Sequence, residues 1–413
     1  MTRDGSRYRW VILATGAVGA GAFAALRMGL PSLGPAVRSE YGLSLGEVGL
    51  AFAAVTGGGM LTLVPWGALT DRIGERPVMV AGLAGSAVAL VGAAVASSYP
   101  ALLFGLLFAG MLGSSATGAS GRAVMGWFAR EERGFALGIR QMALPLGGAL
   151  ASLTLPTLVD AHGLRAAFIA LAGLSLNAAL AAGLLMRDPP PRPARAPRLA
   201  STPPTRDRRL WRLGAGGALL VCAQASMLGF IVLFLHDARG VSAATAAAAL
   251  GVVQIVGAGV RIVAGRRSDR EGLRIAPLRR IAARNAVLLV ALGASASGPD
   301  LLLYPLLAFA AVSTMSWNGL AFTAAAEISG RARAGTAMSL QNTVISIGGM
   351  LAPTAFGVLV EATSWNAAYV VLGLAPLVAF VVLAPLEGEE DERLAARALR
   401  ARETPEPRTV EAT

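Results

Sequence analysis

Segments of about 20 apolar residues recur along the whole of this 413-residue chain, and a helix of that length crosses the apolar core of a bilayer. Only 15% of the residues are charged, whereas soluble domains carry about a quarter. The pattern therefore predicts an all-α integral membrane protein. It overrides the two or three soluble domains that the length alone would suggest.

Charge clusters, prolines and turn residues divide the apolar segments into twelve predicted transmembrane helices. The second helix has a clear start, because Ser44 and Glu47 have the spacing of a capping box. The twelve predicted helices are residues 10–36, 45–66, 77–97, 101–128, 134–158, 165–187, 211–235, 242–263, 278–297, 301–326, 335–360 and 365–385.

The two halves of the chain repeat each other. Residues 134–173 align without a gap onto residues 335–374 at an offset of 201, with twelve of the forty positions identical. A second match, at an offset of 198, relates Asp71-Arg72 to Asp269-Arg270. The repeat predicts two pseudo-symmetric six-helix bundles, and such halves are typical of transporters that alternate access by rocking about a shared site.

The predicted bundles occupy residues 1–187 and 211–386. Between them, residues 188–210 are rich in proline and arginine and predict an extended or disordered cytoplasmic linker. Residues 387–413 form a mixed-charge cytoplasmic tail, in which 393–402 are either a short amphipathic helix or a solvated coil.

Arginine placement predicts the orientation. With a cytoplasmic N-terminus, 28 arginines fall in cytoplasmic segments and three, Arg38, Arg165 and Arg239, fall outside. This asymmetry predicts a multi-pass protein of the plasma or inner membrane with both termini in the cytoplasm. It also explains the net charge of +12 without a nucleic-acid partner.

A glycine-rich turn follows the second helix, with the sequence Gly67-Ala-Leu-Thr-Asp71-Arg72-Ile-Gly74-Glu75-Arg76. It resembles the loop 2–3 signature of the major facilitator superfamily, and a weaker copy follows helix eight at Gly265, Asp269, Arg270 and Gly272. The resemblance implies that Gly67, Asp71, Arg72, Gly74 and Arg76 form a conformational latch that joins the halves in the outward-facing state. Glu75 departs from the family's usual basic residue. The resemblance also implies that helices one, four, seven and ten line a central cavity.

Charged side chains inside a membrane are costly and default to functional candidates. Arg27 is predicted either to snorkel to the outer interface or to attract an anion in the cavity. Arg122 lies about 12 Å above the cytoplasmic end of helix four, beside serine, threonine and glycine, and is the stronger cavity candidate. Arg261 and Arg284 are expected to snorkel to the interface. The further cavity candidates are Gln141, Gln224, Gln254, Trp317, Asn318, Gln341 and Asn342.

Glu327 is the one carboxylate placed inside a predicted helix away from its outer end. It either pairs with Arg331, four residues on, or carries a coupling proton with a pKa raised by burial. The histidines lie far apart, so no metal site is predicted. The chain has no phosphate loop of the Walker type, so neither ATP coupling nor a cofactor is expected.

These observations predict a monomeric secondary active transporter and not an enzyme. The excess of arginine over carboxylate inside the helices favours a small anionic or polar substrate, with protons or another ion as the coupling partner. Residues 143–148 are similar to an element of drug–proton antiporters, but a small-residue packing face is the preferred interpretation. A proton-driven drug or metabolite exporter therefore remains an alternative, and a non-transporting membrane sensor is the alternative of another class.

Overall fold

The computed structural model describes residues 3–128, 132–187, 204–330 and 333–403, and every regular element in these ranges is helical. The helices form twelve spans. Spans 1 to 6 are Arg3–Gly29 with Leu30–Leu33 and Gly34–Tyr41, then Leu45–Ile73, Glu75–Ala94, Tyr99–Gly113 with Ser115–Trp127, Arg133–His162, and Leu164–Leu185. Spans 7 to 12 are Arg208–Leu233 with Phe234–Ala238, then Ala243–Glu271, Ile275–Ser295, Asp300–Thr314 with Asn318–Ser329, Ala334–Ala362, and Trp365–Glu403.

Eleven of these spans are long and apolar enough to cross a membrane by length and composition. Span 9 is the remaining one, and its first ten residues include Arg279, Arg280 and Arg284. It nevertheless packs along span 12 over its whole length, with Gly293 against the backbone of Asn366. The predicted all-helical architecture of two six-span bundles is thereby confirmed.

Spans 4 and 10 are broken, although the sequence predicted continuous helices at 101–128 and 301–326. Span 4 breaks at Ser114, and span 10 breaks at Met315 to Trp317. Serine hydroxyls compete with backbone amides for carbonyls at both places: Ser114 Oγ donates to Met111 O at 3.0 Å, and Ser316 Oγ donates to Ser313 O at 2.7 Å. The two breaks occupy equivalent positions in the two halves.

The last helix is longer than predicted. Span 12 continues without interruption to Glu403, so residues 387–403 extend the span instead of starting a separate tail. Glu387 pairs with Arg279, and Glu390 accepts hydrogen bonds from the first amides of span 9, including Ile275 N at 3.0 Å. These contacts attach the acidic extension of span 12 to the start of span 9, where a carboxylate satisfies free helix amides. Residues 188–203 of the predicted linker and 404–413 of the tail lie outside the described residues.

The two bundles touch at the face of the molecule that carries the span 1–2 and span 7–8 connections, here called the distal face. A single hydrophobic cluster there contains residues of both halves, with the rings of Phe52 and Phe230 6.0 Å apart. Arg38 at the end of span 1 forms an ion pair with Asp237 after span 7. Leu45 N also donates to Glu361 Oε1 at 2.5 Å.

The opposite face, here called the terminal face, carries the N-terminal end of span 1 and the connections that contain Asp71 and Asp269. Toward this face the core divides into two separate clusters, one from each half. Among the described residues, the ion pairs on this side join groups of the same half, such as Arg9 with Glu132. The molecule is therefore sealed at the distal face and parted at the terminal face.

Candidate functional site

A cavity of about 210 Å³ lies between the two bundles. Residues from spans 1, 2, 4, 5, 7, 8, 10 and 11 line it, and a smaller space of about 100 Å³ continues it toward the distal seal. The two spaces share Arg27, Met28, Thr56, Val221 and Gln224. The polar side chains around the larger space are Arg27, Thr56, Ser114, Thr117, Gln141, Gln224, Arg261, Asn318, Asn342 and Ser346.

Two arginines give the cavity its charge, and the described lining residues include no carboxylate. Arg27 is exposed to the cavity and has no hydrogen bond or ion pair within the described ranges. Arg261 donates from Nε to the Met315 carbonyl at 2.8 Å, which the break in span 10 leaves free of a helical partner. An unpaired guanidinium in a water-filled intramembrane space attracts anions.

The break in span 10 also positions the amide of Gln224 on span 7. Gln224 Oε1 accepts hydrogen bonds from Trp317 Nε1 at 3.0 Å and from Asn318 Nδ2 at 3.1 Å. Trp317 is fully buried, so it supports Gln224 from behind and does not line the cavity, although the sequence made it a cavity candidate. With its oxygen occupied, Gln224 has its amide N–H groups left to offer to a ligand.

Gln254 closes the cavity at the distal seal. It is 1% exposed, and its Nε2 donates to Ser152 Oγ at 3.1 Å and to Met28 O at 3.4 Å. Both partners belong to the other half of the molecule. Gly148 makes this approach possible, because a Cβ there would lie 2.0 Å from Gln254 Oε1.

Two pairs of polar residues, related by the offset of 201 between the halves, have different roles. Gln141 and its repeat-mate Asn342 both line the cavity. Their neighbours Arg140 and Gln341 are both buried away from it. Arg140 donates to the Thr117 carbonyl at 2.5 Å, while Gln341 donates to a carbonyl of span 7 at 3.2 Å. The structure thus places the predicted cavity residue Gln341 in the packing between spans 7 and 11.

Arg122 lies at the terminal face and does not line the cavity. Its guanidinium pairs with Asp71 and, at 3.2 Å, with Glu75. The Glu75 side chain is only 7% exposed, whereas that of Asp71 is 74% exposed. The departure of Glu75 from the usual basic residue therefore has a local reason: it is the buried counter-ion of Arg122.

The second half contains an equivalent acid–arginine–acid group. Arg274 pairs with Asp269 at 2.7 Å and with Glu327 at 3.0 Å. Burial lowers the pKa of Arg274, but its hydrogen bonds to Glu327 and Asp269 outweigh this and raise the pKa overall. Glu327 is thus a half-exposed member of an ion-pair group at the terminal face and does not line the cavity. Its suggested partner Arg331 lies outside the described residues.

The two groups exchange the positions of their residues. In the first half the arginine comes from span 4 and the second acid from the first residue of span 3. In the second half the arginine comes from the loop before span 9 and the second acid from span 10. Gly74 and Gly272 turn the chain with φ of +88° and +68°, which other residues rarely adopt. A Cβ at Gly67 or Gly265 would meet nothing within 4 Å. The remaining motif residues, Arg72, Arg76 and Arg270, are exposed.

Sequence reasoning missed Arg261, which was expected at the interface. The sequence held no distinct signal for it, because the serines and threonine at 313–316 permit a helix break but do not require one. Thr56, Ser114, Thr117 and Ser346 were also missed as lining residues. Small hydroxyl side chains are common packing residues in membrane helices, so their sequence carries no distinct signal for a cavity.

Two six-span bundles around a shared cavity, sealed at one face and parted at the other, are the architecture of a membrane transporter. The chain belongs to the Major Facilitator Superfamily, whose family model matches residues 11–353. It is accordingly a multi-pass membrane protein of a family that handles small-molecule substrates.

Two relatives show what the chain is similar to. An uncharacterized MFS-type transporter of Mycobacterium tuberculosis is 34% identical over 395 residues, which cover 94% of this chain and 87% of the relative. The probable sulfoacetate transporter SauU of Cupriavidus necator is 28% identical over 374 residues, which cover 84% of this chain and 86% of that protein.

Solved structures share the fold. A bacterial homolog of the human lysosomal transporter Spinster, in an inward-facing and unoccupied conformation, superimposes with a TM-score of 0.73 at 18% identity, covering 91% of this chain and 95% of the other. The inward-facing, occupied form of that homolog gives a TM-score of 0.74 at 17% identity over the same shares.

Proposed function

We propose that this protein is a secondary active transporter that carries a small organic anion across the membrane by alternating access. The observation that carries the proposal is Arg27, an unpaired guanidinium inside a cavity whose described walls contain no carboxylate. A cation inside the membrane without a counter-ion is unfavourable, and an anionic substrate supplies the missing charge. The relative named as a probable sulfoacetate transporter supports an organic acid as the class of substrate.

The donors around Arg27 suit a ligand with oxygen acceptors. Arg27 supplies the charge, the amide of Gln224 and the Asn318 side chain supply neutral hydrogen bonds, and Arg261 adds a second positive charge. Charge-assisted hydrogen bonds are roughly twice as strong as neutral ones, so the arginines set affinity and the amides set orientation. Glu327, suggested by the sequence as a proton carrier, is held by Arg274 outside this cavity, so the coupling ion is proposed to act elsewhere.

The arginine distribution assigns the terminal face to the cytoplasm, which makes this conformation inward-facing. The proposed latch is then released: Asp71 is exposed and pairs with Arg122 of its own half. In the proposed outward-facing state the terminal face closes, and Asp71 faces the N-terminus of a neighbouring helix, where a carboxylate is favoured by the helix dipole. The latch thus holds the state in which the distal seal is open.

Replacing Arg27 by Gln should raise the KM for an organic anion about 10- to 150-fold, because one charge-assisted hydrogen bond to the substrate contributes about 1.5–3 kcal/mol. The test is uptake into proteoliposomes of sulfoacetate, malonate and succinate, beside a neutral diol of similar size. Arg27→Lys keeps the positive charge but loses the planar guanidinium that can donate two parallel hydrogen bonds. Its KM should lie between those of the unaltered protein and Arg27→Gln.

Arg208→Gln provides the matched control, since it removes one exposed arginine from the start of span 7, away from the cavity. The proposal fails if Arg27→Gln and Arg208→Gln transport the acids with the same KM. It also fails if the neutral diol is carried as well as the acids by the unaltered protein.

A further inference from the structure

A second space, of about 380 Å³, lies between spans 8, 9 and 10 near the terminal face. It shares no lining residue with the central cavity. Its walls are apolar on both sides, with Val263 of span 8 66% exposed. Exposed valine on the outside of a membrane span faces lipid, so this space, here called the lateral groove, opens toward the bilayer. Its apolar walls are Val260, Val263, Ala264, Pro277, Ile281 and Leu320.

Three arginines project into the lateral groove at different depths. Arg267 lies about 6 Å inside the end of span 8, while Arg280 and Arg284 lie about 7.5 Å and 13.5 Å inside the start of span 9. Glu271 is shared by two of them, at 2.7 Å from Arg267 and 3.3 Å from Arg280. Arg284 has neutral partners in the structure, donating to Ser313 Oγ at 2.8 Å and to Ser316 Oγ at 3.1 Å. The lining of the groove therefore carries a net positive charge.

The other half of the molecule shows that the fold does not require these arginines. At the offset of 198 that relates Asp71 to Asp269, Arg280 and Arg284 correspond to Gly82 and Ser86. A Cβ at Gly82 would lie 1.9 Å from Ser115 Oγ, so span 3 packs directly on span 4 there. In the second half, long cationic side chains stand where the first half has a close helix contact.

We propose that the lateral groove binds the headgroup of an anionic phospholipid from the leaflet at the terminal face. Arg267 and Arg280 lie within two helical turns of the ends of spans 8 and 9 at the terminal face, and clusters of basic residues between membrane helices on the cytoplasmic side suit such headgroups. The valine wall of span 8 accommodates the start of an acyl chain. Free inorganic phosphate would satisfy the charges but would leave this wall exposed to water.

The test uses the delipidated full chain in dodecyl maltoside and titrates back defined lipids. Native mass spectrometry counts bound lipid, and thermal unfolding reports the stabilisation that a ligand of the folded state produces. The three probes are phosphatidylglycerol, phosphatidylcholine with the same acyl chains, and inorganic phosphate. Of the three probes, we expect only phosphatidylglycerol to remain bound to the protein in native mass spectrometry and to raise its Tm.

The variant Arg267→Gln/Arg280→Gln should bind phosphatidylglycerol roughly 10- to 30-fold more weakly, as expected for the loss of two interfacial charges. The matched control, Arg208→Gln/Arg212→Gln, removes two exposed arginines from the same side of the membrane at span 7 and should bind normally. Arg267 and Arg280 are exposed, so folding should survive, and Arg267→Gln alone gives a smaller effect in the same direction.

Three outcomes would overturn the proposal. The first is equal loss of phosphatidylglycerol in both double variants, which would assign the effect to general surface charge. The second is equal binding of phosphatidylcholine, which would make the groove an apolar contact only. The third is full stabilisation by inorganic phosphate, which would make it a site for a free anion.

Discussion

Alanine at Gly49 or Gly357 should open the distal seal and reduce transport about fivefold or more. A Cβ at Gly49 would lie 2.5 Å from Pro353 O, and one at Gly357 would lie 2.3 Å from Leu45 O. Both obstacles are backbone atoms of the facing span, which cannot rotate aside as a side chain can. Spans 2 and 11, which belong to opposite halves, must therefore separate at this contact.

Overpacking of this kind costs about 1–3 kcal/mol, and the cost falls only on the state in which the spans meet. The equilibrium between the two states should then shift about 5- to 150-fold toward the distal-open form, since 1.4 kcal/mol is a factor of ten. A transporter held in one state completes few cycles, so the rate falls while each bundle stays folded.

Accessibility labelling measures this shift directly. Cys222 is the single cysteine, so a Cys222→Ser background carrying Thr56→Cys places one thiol in the cavity. A membrane-impermeant reagent added at the distal face should label Thr56→Cys faster when Gly49→Ala or Gly357→Ala is present. Gly173→Ala is the control, because a Cβ there meets nothing within 4 Å. Equal labelling rates in all of these proteins would contradict the assignment of the seal.

The twelve spans were readable from the sequence because bilayer thickness fixes the length of an apolar segment. The breaks in spans 4 and 10 could not be predicted from the sequence, since serine and threonine are tolerated in continuous membrane helices. Whether Ser114 or Ser316 ends a helical segment depends on the neighbour that takes the freed carbonyl. Arg261 is such a neighbour for span 10, and it lies more than fifty residues away in the chain.

The candidate site was predicted only in part, because contacts between distant segments decide which side chains face the cavity. Gln141 and Asn342 line the cavity, and the repeat in the sequence had paired them. Arg122 looked like a cavity residue because depth along a helix is readable from sequence, whereas the direction of a side chain around the helix is not. Its direction is settled by Glu75, a buried acid that only the folded loop brings within 3.2 Å.

Replacing Arg122 by Gln should destabilise the protein strongly while leaving substrate affinity unchanged. The change leaves the Glu75 carboxylate, whose side chain is 7% exposed, without its counter-ion. Removing one partner of a buried pair costs about 3–5 kcal/mol, and the lower end applies because the Arg122 side chain is 41% exposed. Asp71 is mostly exposed, so Asp71→Asn should have little effect on stability.

A double-mutant cycle separates this role from a role in the cavity. Arg122→Gln/Glu75→Gln removes both charges and should recover most of the lost Tm, because no uncompensated carboxylate remains buried. The KM for transported acids should stay within twofold of the unaltered value in both variants. An increase in KM as large as that of Arg27→Gln would return Arg122 to the substrate path. A double variant as unstable as Arg122→Gln alone would show that the arginine stabilises the terminal face by packing, through its alkyl stem, and that Glu75 does not depend on it.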